Sequence, residues 1–101
     1  MGKEEIKKKL LEAVKKDPHV SDIKSVALFG SYVNGTQNKD SDIDVLVQFS
    51  EDAVIGFFEY ARIQRHLSEV LGVKVDMVTP EALSKYIKAQ VLREAEVVYE
   101  G

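Results

Sequence analysis

The sequence predicts a single α/β (α+β) domain: a small mixed β-sheet of three to four strands flanked by helices. Three observations carry this. Apolar residues recur at the helical period in some segments and alternate with a period of two in others. These segments interleave along the chain, as they do when helices pack on a sheet. The 101 residues, 45% hydrophobic and 31% charged, suit one core, so residues 1–101 read as one domain.

Residues 3–16 read as an amphipathic helix, with Ile6, Leu10, Leu11 and Val14 near one face and Lys and Glu between them. Asp17-Pro18 ends it, because proline disfavours helical backbone in the residue before it. Residues 24–29 are a short apolar run with β-formers, the first strand. Gly30 to Ser41 is rich in Gly, Ser, Asn and Asp and reads as a loop, with one helical turn after Ser31 as an option. Residues 42–49 form the second strand, with Ile43, Val45, Val47 and Phe49 on one face and Asp42, Asp44, Leu46 and Gln48 on the other.

Residues 54–71 read as the main helix, with a stripe of Phe57, Tyr60, Ile63, Leu67, Val70 and Leu71 and with Gly72 as its C-terminal cap. Residues 73–78 alternate and form the third strand, with Val73, Val75 and Met77 opposite Lys74, Asp76 and Val78. Thr79-Pro80-Glu81 has the chemistry of a helix start, so residues 80–94 read as one helix with Leu83, Ile87 and Val91 spaced by four. Residues 97–99 are β-prone and suit a short edge strand. The link between the first two strands is too short for a crossover helix, which implies an antiparallel pair. The helix between the second and third strands suits a parallel crossover. The sheet is then expected to carry its helices on one side.

Composition removes several classes of function. There is no Cys, so a disulfide framework and any Cys-ligated zinc site are excluded. No run approaches the roughly 20 apolar residues of a membrane span. The charged first nine residues do not suit a secretory signal, and a cytoplasmic location is expected. Charge is uneven. Residues 1–16 hold six Lys against three Glu, which suits a solvated helix face. Residues 40–59 hold six acids and neither Lys nor Arg. The net charge of -3 argues against a nucleic-acid template as ligand. His19 and His66 lie outside every motif and read as surface residues. Phe57, Phe58 and Tyr60 read as core, with one ring left over for a partner surface, since 57 and 58 are about 100° apart on a helix.

Three features bear on chemistry. Gly30-Ser31 follows a strand, where a glycine lets backbone approach a ligand and free N–H groups can cradle phosphate oxygens. Asp42 and Asp44 are two apart on a strand and share a face, an arrangement of repelling carboxylates that suits Mg²⁺. Asp76 lies in an apolar strand and joins the same face if that strand lies beside residues 42–49. Three carboxylates around a pair of divalent ions would stabilise an in-line nucleotidyl displacement, and Asp76 could also take a proton from an attacking hydroxyl.

The combination resembles the nucleotidyltransferase superfamily of the DNA polymerase β type, and within it the minimal nucleotidyltransferase (MNT) group. The resemblance rests on Leu28-Phe29-Gly30-Ser31, on Ser41-Asp42-Ile43-Asp44-Val45-Leu46-Val47 and on Val75-Asp76-Met77-Val78-Thr79-Pro80-Glu81. It implies the nucleotidyltransferase fold, with Gly30 and Ser31 at the nucleotide's terminal phosphates. It implies Asp42, Asp44 and Asp76 as the metal and catalytic carboxylates, with Mg²⁺ (a pair of ions) as cofactor and ATP as donor. It further implies an antitoxin paired with a HEPN-domain toxin and transferring AMP onto a hydroxyl of that partner. Many relatives carry Arg directly after the Gly-Ser pair and again two residues later, where this chain has Tyr32 and Asn34. Lys39, Arg62, Arg65 and Lys74 are the candidate substitutes for that charge. The alternative is a non-catalytic nucleotide-binding module that neutralises its partner by occlusion.

Overall fold

The computed structural model describes residues 2–37 and 41–101. Lys39, and Asp40 of the acidic block, lie outside the described residues. Helix α1 spans Lys3–Lys16, strand β1 Ile23–Phe29, the short helix α2 Ser31–Asn34 and strand β2 Ile43–Phe49. Helix α3 spans Phe57–Leu71, β3 Val75–Val78, α4 Lys85–Glu94 and β4 Glu96–Glu100. The sheet order is β3-β2-β1-β4. β1 runs antiparallel to β2 and β4, and β2 runs parallel to β3, so α3 is the crossover that the sequence implies.

The period of two in the strands divides the sheet into two unequal faces. Val26, Leu28, Ile43, Val45, Val47, Val75 and Met77 join Ile6, Leu10 and Val14 of α1 and Ile63, Leu67 and Leu71 of α3 in the main core. Ala27 and Leu46 look the other way and meet Val91 of α4, with Phe29, Val78, Leu83 and Ala95 around them. Helices therefore cover both faces. The one-sided arrangement expected from the sequence is corrected by Leu46 and Ala27, which are apolar on the second face and need a cover of their own.

Helix α1 places Glu4 and Glu5 in its first turn and Lys15 and Lys16 in its last, which complements the helix dipole. Lys3 and Lys7 each reach Glu96 of β4 at 3.0 Å, tying α1 to the edge strand. Hydrogen bonds from Lys3 and then Lys7 hold the Glu96 carboxyl below its usual range.

Further expectations are corrected. The helix predicted over 80–94 is two pieces: a 3-10 turn over Pro80–Ala82, then α4 from Lys85. Leu83 and Ser84 between them are extended, with ψ of 140° and 154°. That break lets Leu83 reach the second cluster, and the carbonyl of Ser84 restarts the helix by accepting from the Ile87 and Lys88 N–H groups. Ile87, expected on the inward face, is 53% exposed. Helix α3 begins at Phe57 behind Gly56, three residues later than predicted. Phe57 and Phe58 are 81% and 82% exposed and stack edge to face on one another, so neither is core. Of the three aromatics only Tyr60 turns inward, packing on the main cluster beside Phe49.

Leu67 is 1% exposed within the main core. Leu67→Ala should destabilise the fold by about 2–5 kcal/mol, a large share of a typical domain's stability. Urea unfolding would show it, and a loss under about 1 kcal/mol would contradict this packing.

Candidate active site

Two of the three candidate carboxylates meet because of strand register. Asp44 pairs across the parallel ladder with Asp76, and Leu46 two residues on pairs with Val78. Side chains two apart share a face. Asp44 and Asp76 thus occupy the same face as Leu46 and Val78, one step nearer the N-terminal ends of β2 and β3. Helix α4 covers the Leu46–Val78 step. Asp76 is left exposed and Asp44 half-buried. The apolar alternation that makes β2 and β3 strands is thereby interrupted by acid at the one step α4 does not cover.

Asp42 lies one residue before β2. Its Oδ2 is 3.7 Å from Lys74 Nζ, and the Ile43 N–H donates to the Lys74 carbonyl at 3.0 Å. Burial, then Asp76, then Asp42 push the Asp44 carboxyl above its usual range. Burial and nearby Asp76 also raise the Tyr60 hydroxyl. Among the described residues no three such side chains close into a ready-made metal cage. The acids form a repelling group, with Asp42 engaged by Lys74. Such a set of hard oxygens, one of them reluctant to ionise, fits a divalent cation of the Mg²⁺ type.

Gly30 closes the site from the β1 side. Phe29 pairs with Asp44, so the next residue passes directly over the Asp44 side chain. Gly30 has φ 79° and ψ -147°, a region essentially restricted to glycine. A Cβ built there would lie 2.2 Å from Asp44 Oδ2. The Gly30 carbonyl then accepts from the Val33 and Asn34 N–H groups, at 3.0 Å each, and so starts α2 at Ser31. The first N–H groups of such a turn have no acceptor inside it. Gly35, at φ 76°, ends the turn. The structure therefore gathers Gly30, Ser31, Asp42, Asp44 and Asp76 around one end of the sheet.

The candidate cations separate. Lys74 stands at the acids. Arg62 and Arg65 line a cavity of about 460 Å³ with Asp17, Pro18, His66 and Glu69. That cavity lies on the side of α3 turned from β3. Tyr32 is 8% exposed in the main core, so position 32 packs the domain, whereas Asn34 is exposed. His66 is not a plain surface residue: its Nδ1 is 2.7 Å from Oδ2 of Asp17, whose side chain is 2% exposed. Asp17 Oδ1 also accepts from the His19 N–H at 2.8 Å. In the sequence Asp17 reads only as a helix end, and nothing local signals this link from α1 to α3.

The sequence profile of the nucleotidyltransferase domain matches residues 7–98. The chain belongs to the nucleotidyltransferase domain family. Protein adenylyltransferase MntA of Thermococcus cleftensis is 38% identical over 77 residues, covering 76% of this chain and 74% of the relative. A candidate protein adenylyltransferase of Methanocaldococcus jannaschii, MJ1379, is 40% identical over 78 residues, 76% of each chain. A solved structure described as a candidate minimal nucleotidyltransferase superposes on this nucleotidyltransferase domain with a TM-score of 0.73 at 35% identity, covering 94% of both chains. The same fold recurs in a toxin–antitoxin crystal structure with AMP-PNP, with a TM-score of 0.73, 24% identity and coverage of 94% of this chain and 73% of that one. No described helix of this nucleotidyltransferase domain is long and apolar enough to cross a membrane.

Two outcomes follow from the site's geometry. Gly30→Ala should displace Asp44 or the turn after β1; loss of the Ser31–Asn34 and Asp44 amide positions in an NMR spectrum, with the core signals kept, would show it. An unchanged spectrum would contradict the close approach. The raised Asp44 carboxyl means that the folded state holds this proton more tightly than the unfolded state. Its ionisation therefore removes stability as pH rises from the ordinary carboxylate range through the folded pKa. In chelator, Asp44→Asn should match the wild type at acid pH and exceed it at neutral pH. A constant difference in melting temperature across that window would contradict the assignment.

Proposed function

We propose that this domain is a Mg²⁺-dependent nucleotidyltransferase that moves AMP from ATP to a hydroxyl of a HEPN-domain partner and thereby acts as an antitoxin. The observation that carries the reading is the register pairing of Asp44 with Asp76, closed over by Gly30, in a chain 38% identical to a protein adenylyltransferase. One structural neighbour is a tri-AMPylated HEPN toxin of Shewanella oneidensis in complex with its MNT antitoxin, which supports the partner class.

In this reading the acceptor oxygen bonds to the α-phosphorus, the bond from that phosphorus to the bridging oxygen breaks, and pyrophosphate leaves. Asp42, Asp44 and Asp76 would hold the divalent metal, which supplies positive charge against the triphosphate. Asp76 is exposed and so reachable by an acceptor docking from outside; it can take the hydroxyl proton. Gly30 admits phosphate close to the backbone, and Ser31 offers its hydroxyl and N–H there. Lys74, now 3.7 Å from Asp42, would supply the charge that Asn34 does not. The exposed Asn34 in place of Arg supports the second reading, neutralisation by occlusion with weak nucleotide binding.

Incubation with ATP, Mg²⁺ and the HEPN partner should add an adenylate mass to the partner in mass spectrometry. Asp44→Asn should lower the rate by about a hundredfold or more, the scale on which loss of one charge-stabilising group acts. No adenylate on a partner that binds would overturn the enzymatic reading, and an Asp44→Asn protein that still neutralises would favour occlusion. Mg²⁺ affinity should fall from neutral to mildly acidic pH, because the ligands must be ionised. Equal calorimetric affinity at both would contradict the site.

A further inference from the structure

β3 is an edge strand, with β2 on one side. Its other edge is not left to solvent. The Val75 N–H donates to Ser68 Oγ at 3.0 Å, and the Met77 N–H donates to Gln64 Oε1 at 3.0 Å. Tyr60 Oη donates to the Met77 carbonyl. All three partners come from α3, at positions 60, 64 and 68. Ser68 is doubly fixed, since its hydroxyl also donates to the Gln64 carbonyl at 2.9 Å.

The spacing explains why this works. Four residues of helix advance about 6 Å, and two residues of strand advance about 6.6 Å. An i, i+4, i+8 polar stripe on a helix antiparallel to a strand therefore stays in step with alternate outward backbone groups. Ser68 meets Val75, Gln64 meets Met77, and Tyr60 meets the far side of Met77. Asp76 lies between the two anchored residues, with its backbone groups turned to β2. A slip of β3 by one residue would send Asp76 to the core face, and a slip by two would carry it a full step past Asp44.

We infer that Gln64 and Ser68, with Tyr60, are positioning residues that set the β3 register and so hold Asp76 beside Asp44. The ladder does the work on β3 that a further strand would otherwise do, and couples the crossover helix to the acidic site. A helix that packed through its apolar stripe alone would leave β3 free to shift along Leu67 and Ile63, because apolar contacts are non-directional. Short β3, with four residues, has few ladder bonds of its own to resist this. The inference rests on the proposed role of the acids as metal ligands.

The test is calorimetric titration of the full chain with Mg²⁺ alone, without nucleotide, alongside urea unfolding of each variant. Gln64→Leu and Ser68→Ala should each weaken Mg²⁺ binding about ten- to a hundredfold, the scale seen when residues that orient metal ligands are lost. Gln64→Glu keeps an acceptor oxygen at the same place and should restore much of the affinity. Ile63→Val, which loosens the same helix without touching the ladder, controls for stability and should bind Mg²⁺ as the wild type does. Asp76→Asn is the reference for complete loss of this ligand. If Asp76→Asn weakens binding while Gln64→Leu and Ser68→Ala behave as Ile63→Val, the ladder is merely structural and the inference is overturned. If Asp76→Asn itself leaves Mg²⁺ affinity unchanged, the metal-site reading fails instead, and with it the inference.

Discussion

Mutual repulsion between carboxylates on adjacent strands is the constraint around which this domain is arranged. Asp44 and Asp76 are register partners on a parallel ladder, at a step where an apolar sheet would carry Val or Leu. Burial first, and then the like charges of Asp76 and Asp42, raise the cost of ionising Asp44, whose carboxyl lies above its usual range. Nothing in the core calls for acid there. The strands are held together by the main cluster on the opposite face, which buries Ile43, Val45, Val47, Val75 and Met77 completely or nearly so. The fold therefore stabilises a local arrangement that opposes it, as expected where a site is kept for binding rather than for packing.

The surrounding elements follow from that division. α1 and α3 take the main face and supply the cohesion. α4 covers the second face only as far as Leu46 and Val78, and the break at Leu83 and Ser84 sets it there. Gly30 lies where a side chain would strike Asp44, so the turn into α2 and the acid pair are mutually dependent. Lys74 offsets part of the acid charge through Asp42, but at 3.7 Å and largely exposed the pair contributes little to stability.

Much of this was legible in the chain. The period of two identifies the strands, and Asp42, Asp44 and Asp76, each unremarkable alone on a half-buried strand, stand out only through their combination with Gly30-Ser31. Gly30-Ser31 was visible as a turn, though its contact with Asp44 depends on the antiparallel register of β1, which spacing alone does not specify. Leu46 is an apolar residue on the acid face, and it meets its cover, Val91 of α4, only in the folded chain. Ser84, a favourable N-cap residue, was the signal for the restart of α4 and was masked by the stronger Thr79-Pro80 pattern. Phe57 and Phe58 misled because aromatic residues near a helix start resemble core. Tyr60 reads from the sequence as part of the apolar stripe and Gln64 and Ser68 carry no signal of their own, because a polar residue on a helix shows its purpose only when an open strand edge lies against it. Asp17 and His66 are 49 residues apart, and no local pattern joins them.

Asp44 and Asp76 share one step of the ladder, and Asp76 adds to the burial that raises the Asp44 carboxyl, so the two acids act as one charged unit. A double-mutant cycle isolates that interaction. Urea unfolding of the wild type, Asp44→Asn, Asp76→Asn and the double variant, at neutral pH and in chelator, measures it directly. Either single substitution should raise stability by removing the shared repulsion, and the double variant should gain clearly less than the two gains together. Fully additive effects, or no gain from either substitution, would contradict the account.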